Sequence, residues 1–202
     1  MCIICYTINM NLLNNLTNEE KKLIKKLSFK KGNIIAHEGE RCEAMYIIEE
    51  GNVKIVSYSI NGNEKIISTH KKNDVFANAL IFSKSPYFLG NIICLTDATI
   101  YQIDKYDLLH LLQTNELFLI NYINLLSEKT INLNIKNKLL SNKNIRERIL
   151  YYFEINQYKL KKNIALISRE LILPRPSVSR EIHKMINENL IIIENNYLLL
   201  KK

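Results

Sequence analysis

The chain has 202 residues, 47% of them hydrophobic and 24% charged, with a net charge of +8 at pH 7. That length holds one large domain or two small ones with real cores, and that balance is that of an ordinary globular protein, so disorder is not the default reading. Residues 141–202 hold 12 Lys and Arg against 6 Glu, and residues 1–140 hold 16 against 14 acidic residues, so one end points to a polyanion, nucleic acid or anionic lipid.

Thr17-Asn18-Glu19-Glu20 is a capping box, predicting a short helix through Leu27 with Leu23, Ile24 and Leu27 on one side. From Lys30 to Ile103 the pattern becomes short β-branched runs: Asn33–Ile35, Met45–Ile48, Val53–Tyr58, Lys65–Thr69, Gly90–Leu95 and Thr99–Ile103. Turns such as Glu50-Gly51-Asn52 and Asn61-Gly62-Asn63 separate them. Asn-Gly between two such runs is a hairpin signal, and six or more strands at this spacing predict a sandwich or jelly-roll barrel.

Helical periodicity starts at Asp104, which can cap a short helix carrying Leu108, Leu109 and Leu112. Thr114 can cap a longer one, in which Leu119, Ile123, Leu126, Thr130, Leu133, Asn137 and Leu140 recur at alternating spacings of four and three. That stripe packs either on its own barrel or on a second copy, where Thr130 and Asn137 would fix the register.

Asn144 begins a further helix with Ile145, Ile149, Tyr152 and Phe153 on its apolar face, and a basic linker follows over Lys159–Lys162. Two short helices are predicted next, one over Ile164–Leu171 and one from near Pro176, where proline suits a first turn. The second turns Val178, Ile182, Met185 and Ile186 inward, and Asn189 is its left-handed end. Leu190–Ile193 and Tyr197–Leu200 read as two strands around Glu194-Asn195-Asn196. Helix, tight turn, helix, hairpin is the order of a winged helix-turn-helix.

Several stretches now resemble the Crp/Fnr superfamily of transcription regulators. Leu173-Pro174-Arg175-Pro176-Ser177-Val178-Ser179-Arg180-Glu181-Ile182 is similar to its recognition-helix pattern, and Glu188-Asn189-Leu190-Ile191 to the stretch that follows. Gly32, Gly39 and Gly51 resemble its β-roll glycines, and Asn73-Asp74-Val75-Phe76 a turn in the same roll. Ser127-Glu128-Lys129 lies in the helix where that family dimerises. The resemblance runs from about residue 17 to 200.

It implies an α+β fold in three parts: a β-roll (double-stranded β-helix) with an N-terminal helix over 1–113, a dimerisation helix over 114–140, and a winged helix-turn-helix over 141–202. It also implies a homodimer on double-stranded DNA, meeting RNA polymerase if it activates. Arg175, Ser177, Ser179, Arg180, Lys184 and Arg169 are the expected DNA contacts, with Lys143, Lys159, Lys161 and Lys162 toward phosphates. Leu119, Ile123, Leu126, Thr130, Leu133 and Asn137 are the expected dimer interface.

Two departures stand out. Ile172 occupies the position where the helix-turn-helix usually has glycine. Where cyclic-nucleotide members hold ribose with Gly-Glu and phosphate with Arg beside Ser or Thr, this chain has Ala77-Asn78 and Tyr87-Phe88. No arginine lies between Arg41 and Arg146, so the strands lack a bidentate phosphate clamp, for which Lys84 is a poorer match. An effector other than a cyclic nucleotide, or none, is expected, and the cofactor is unknown. The rival readings are a cyclic-nucleotide-responsive regulator, a small-molecule sensor acting through protein contacts, and a cupin-like metal enzyme. The enzyme would need more than His37 and His70 on the strands.

No apolar run approaches the ~18–20 residues that cross a bilayer, and Met1–Met10 lacks the features of a signal peptide. A cytoplasmic protein with no membrane partner is therefore expected. Cys2 and Cys5 form a C-x-x-C, and residues 1–9 can also be read as an extension upstream of Met10. Cys42 and Cys94 show no matching spacing, and the four cysteines are expected to be reduced.

Overall fold

The computed structural model describes residues 12–14, 16–142 and 144–201. The Cys2–Cys5 motif, Met10 and Lys143 lie outside the described residues. Two compact units divide the chain, Thr7–Ser127 and Glu128–Lys202.

The capping box is present. Thr17 Oγ1 accepts from the Glu20 amide at 3.2 Å, and the Thr17 amide donates to Glu20 at 2.7 Å. The helix it opens, α1 (Asn18–Lys21), lasts one turn and does not run to Leu27 as expected. Leu23, Ile24 and Leu27 do not continue it, because Ile24–Phe29 is a strand, β1, which pairs along its length with β8 (Ala98–Asp104). Long-range ladder bonds override local helical spacing here.

The remaining strands are β2 (Ile34–Ala36), β3 (Ala44–Glu50), β4 (Asn52–Tyr58), β5 (Glu64–Lys71), β6 (Val75–Phe76) and β7 (Asn91–Cys94). They form two antiparallel sheets, ordered β1-β8-β3-β6 and β2-β7-β4-β5, around one core. Met45, Ile48, Val53, Ile92, Ile100 and Ile103 are fully buried there, each worth roughly 1.5–3 kcal/mol of transfer free energy. β3 is buried at five successive positions, because α2 (Lys105–Thr114) covers the face that would otherwise meet water. At the β3–β4 turn only glycine fits: Gly51 has φ +91, and a Cβ there would meet the Asp97 carbonyl oxygen at 2.4 Å.

Helix α3 (Glu116–Ser141) runs for 26 residues. Its cap is Asn115, whose side chain accepts from the Phe118 amide at 2.9 Å, and not Thr114, whose hydroxyl donates back to the His110 carbonyl. Phe118, Tyr122 and Leu125 enter the core of the roll. The Tyr122 hydroxyl donates to the Asn78 carbonyl at 2.7 Å, and burial pushes its pKa up to about 12.

The second unit holds α4 (Ile145–Ile155), β9 (Lys159–Lys161), α5 (Ile164–Leu171), α6 (Arg175–Asn187), β10 (Ile191–Glu194) and β11 (Tyr197–Leu200). Asn144 caps α4 by accepting from the Arg146 amide. The stretch expected as a basic linker is β9, the third strand of a sheet ordered β10-β11-β9. Leu160 turns inward while Lys159 and Lys161 face solvent. Tyr152, Phe153, Leu171, Val178, Met185 and Leu198 form the core of this unit.

Candidate nucleic-acid interface

The turn between α5 and α6 is tight because Ile172 adopts φ 53, ψ 47. The Ile172 amide then donates to the Arg169 carbonyl and the Leu173 amide to the Ser168 carbonyl, which closes α5 without glycine. A β-branched residue in this region is a steric outlier. Its side chain is 61% exposed, so packing does not offset the cost.

Pro174 ends the turn and α6 starts at Arg175, one residue before the expected proline. Val178, Ile182 and Met185 are buried on one side of α6. At about 100° per residue, Arg180, His183 and Lys184 fall on the opposite side, and all three are exposed. Arg175 and Arg169 are exposed, while Ser177 and Ser179 are half-buried at the flanks of the same helix. Asn189 has φ 58, and the Leu190 amide donates to the Met185 carbonyl, the left-handed end expected for α6.

Glu181 on α6 and Glu188 at its C-terminal cap flank that side and are held by α4. Arg146 Nε donates to Glu181 at 2.6 Å, and its two terminal nitrogens donate to Glu188 at 2.7 and 3.0 Å. This grip lowers the pKa of Glu188, chiefly through the hydrogen bonds from Arg146. Arg180 takes part in no ion pair among the described residues. Nothing in the local spacing singled out Arg146, because its partners lie in another helix.

The hairpin after α6 turns in two residues, Asn195 and Asn196, at φ 46 and 65, with Glu194 opposite Tyr197. Both residues tolerate positive φ, so the turn keeps the twist of the strands. Lys159 sits 4.3 Å from the centroid of the Tyr197 ring, while Lys161 and Lys162 stand exposed beside the hairpin.

On α3 the expected interface stripe is distinct from the side that enters the roll. Leu119, Ile123, Leu126, Thr130, Leu133 and Asn137 lie about 90° round the helix from Phe118, Tyr122 and Leu125. Ile123 and Leu133 are 50% and 61% exposed, and Thr130 and Asn137 are exposed too. Leu119 is half-buried, and Leu126 packs partly on the core of its own roll.

At the positions matching a nucleotide site, Ala77 keeps a left-handed backbone, φ 63, without being glycine. Asn78 and Phe88 are only 3% and 7% exposed, and Tyr87 and Lys84 face solvent. None of these five residues carries a carboxylate or a guanidinium. Among the described residues, no group of three or more His, Cys, Asp or Glu could hold a metal, and His70 on β5 meets Ser68 Oγ at 3.0 Å. No described helix is long and apolar enough to cross a membrane.

Residues 26–115 match the family model of the cyclic nucleotide-binding domain. No curated protein sequence matches the chain. Among solved structures, the Catabolite Activator Protein of Thermus thermophilus is similar over 94% of this chain and 93% of its own, with TM-score 0.54 and 18% identity. A transcriptional regulator from Thermotoga maritima is 29% identical over 63% of this chain and all of its own, with TM-score 0.55. DNR of Pseudomonas aeruginosa matches over 93% of this chain and 88% of its own, at TM-score 0.51 and 19% identity. The α+β fold is thus the one these solved regulators share.

Proposed function

We propose that the chain is a sequence-specific, DNA-binding transcription regulator of the Crp/Fnr type, working as a homodimer with an effector other than a cyclic nucleotide. The observation that carries this is the exposed side of α6, where Arg180 stands unpaired by carboxylates because Arg146 holds Glu181 and Glu188. A free guanidinium on an exposed helix face matches guanine O6 and N7 in the major groove.

Arg175, Ser177, Ser179 and Lys184 would flank that contact, with Arg169, Lys161 and Lys162 meeting phosphates. The exposed stripe on α3 would pair two copies, placing their α6 helices roughly 34–36 Å apart, one turn of the duplex. An activating member would then present a surface to RNA polymerase.

Competition binding of the full chain to selected and random duplexes tests the proposal. Arg180→Ala should lose ten- to a hundred-fold of the preference for the selected site, the equivalent of about 1–3 kcal/mol, and little of the affinity for random DNA. Lys161→Ala should weaken all duplexes alike and flatten the plot of log affinity against log salt by about one unit. Unchanged preference in Arg180→Ala, or no DNA binding at all by the wild type, overturns it. The latter outcome favours a sensor acting through protein contacts.

A further inference from the structure

We propose that His183 is a base-reading residue that presents a hydrogen-bond acceptor to the major groove, a role that rests on α6 being the recognition helix. The ring is oriented by its own helix: Nδ1 lies 2.8 Å from the Ser179 carbonyl oxygen. A carbonyl oxygen has only lone pairs to offer, so the attractive arrangement puts the proton on Nδ1, which donates. In the neutral ring, Nε2 then carries a lone pair. His183 is exposed, and no other contact of its ring occurs among the described residues.

The rest of the exposed side makes this acceptor distinctive. Arg175, Arg180 and Lys184 can only donate, and Asn187, whose amide can also accept, lies a turn beyond His183 as the last residue of α6. Glu181 and Glu188, beside that face, are held by Arg146. Ser177 and Ser179 are half-buried near the helix start. A donor-only surface matches guanine O6 and N7 or thymine O4, whereas an acceptor matches the amino group of adenine or cytosine. His183 therefore gives the face a second letter.

It follows Arg180 by three residues, about 4.5 Å along the helix axis, little more than the ~3.4 Å rise of one base pair. The half-site should then hold a guanine read by Arg180. Within one or two base pairs of it should come an adenine or cytosine on the strand that His183 faces.

Selection from a pool of randomised duplexes, with full-length protein and sequencing of bound DNA, tests this. Wild type, H183Q, H183R, K184A and R180A are compared. Wild type should enrich a half-site with one adenine- or cytosine-restricted position beside the guanine. H183Q, whose amide oxygen also accepts, should keep that restriction. H183R, which only donates, should switch the position to guanine by tenfold or more, and K184A should leave it alone. If H183R selects the same base there as wild type while R180A still loses the guanine, the role of His183 is overturned and the recognition helix stands. If wild type enriches no motif, both fall together.

Discussion

Arg146 closes on both carboxylate oxygens of Glu188, at 2.7 and 3.0 Å, and so ties the first turn of α4 to the end of α6. The same guanidinium reaches Glu181 through Nε. This orients the exposed side of α6 and also supplies an acid-sensitive contact. The folded pKa of Glu188 lies below its ordinary value of 4.5. Its contribution to stability is therefore complete above the unfolded pKa and is lost as pH falls through the folded one. Urea unfolding should show wild type losing stability against Glu188→Gln as pH drops from 6 through the range below 4.5. Parallel profiles for the two proteins would show that the pair contributes nothing.

Ile172 should be replaceable by glycine at a gain. Relief of the left-handed strain, roughly 1–2 kcal/mol, exceeds the added entropy of an unfolded glycine, roughly 0.5–1 kcal/mol. Ile172→Gly is expected to raise unfolding stability by about 1 kcal/mol with an unchanged denaturant slope. A loss of stability would show that the isoleucine side chain makes a contact worth more than the strain.

Leu133 is a cleaner probe of the α3 stripe than Leu126, because Leu126 also packs on its own roll. Leu133→Glu places a carboxylate at a position 61% exposed in the single chain, so the protomer should fold normally. In a paired seam the same charge loses its water at a cost of several kcal/mol. Light scattering should show a dimeric wild type and a monomeric mutant with native circular dichroism. A mutant that remains dimeric would place the interface elsewhere.

Cyclic AMP and cyclic GMP should not bind tightly. Asn78 and Phe88 are buried in the core of the roll, and its arginine, Arg41, bridged to Tyr87, is ion-paired with Glu43. Isothermal calorimetry should give no micromolar isotherm with either nucleotide. A micromolar isotherm would mean that this roll recognises the phosphate by some group other than arginine.

Much of the second unit was legible in the sequence, because its signals are local. Val178, Ile182 and Met185 recur at helical spacing, Pro174 and Pro176 bracket the start of α6, and Asn189 ends it. What was not legible depends on distant partners. Leu23, Ile24 and Leu27 fit a helix as well as a strand until β8 supplies ladder bonds to Ile24 and Leu27. Lys159-Leu160-Lys161 is too short to show a period, and becomes a strand only when β11 lies beside it. Arg146 looks like any solvated arginine on α4 until α6 brings it two carboxylates. His183 was visible as a residue off the apolar side of α6, but its orientation depends on the Ser179 carbonyl.

The placement of β11 between β10 and β9 also has a consequence for the order of events in folding. β10 can meet β11 through a two-residue turn, a cheap closure, whereas β9 must wait for a strand that lies beyond both α5 and α6. The ladder of β9 with β11 therefore encloses the whole helix-turn-helix within one chain loop, which closes only when that loop's entropy has been overcome. Amide exchange in β9 should consequently rise and fall with that in α5 and α6, as one cooperative unit, while the Asn195-Asn196 hairpin opens independently and more often.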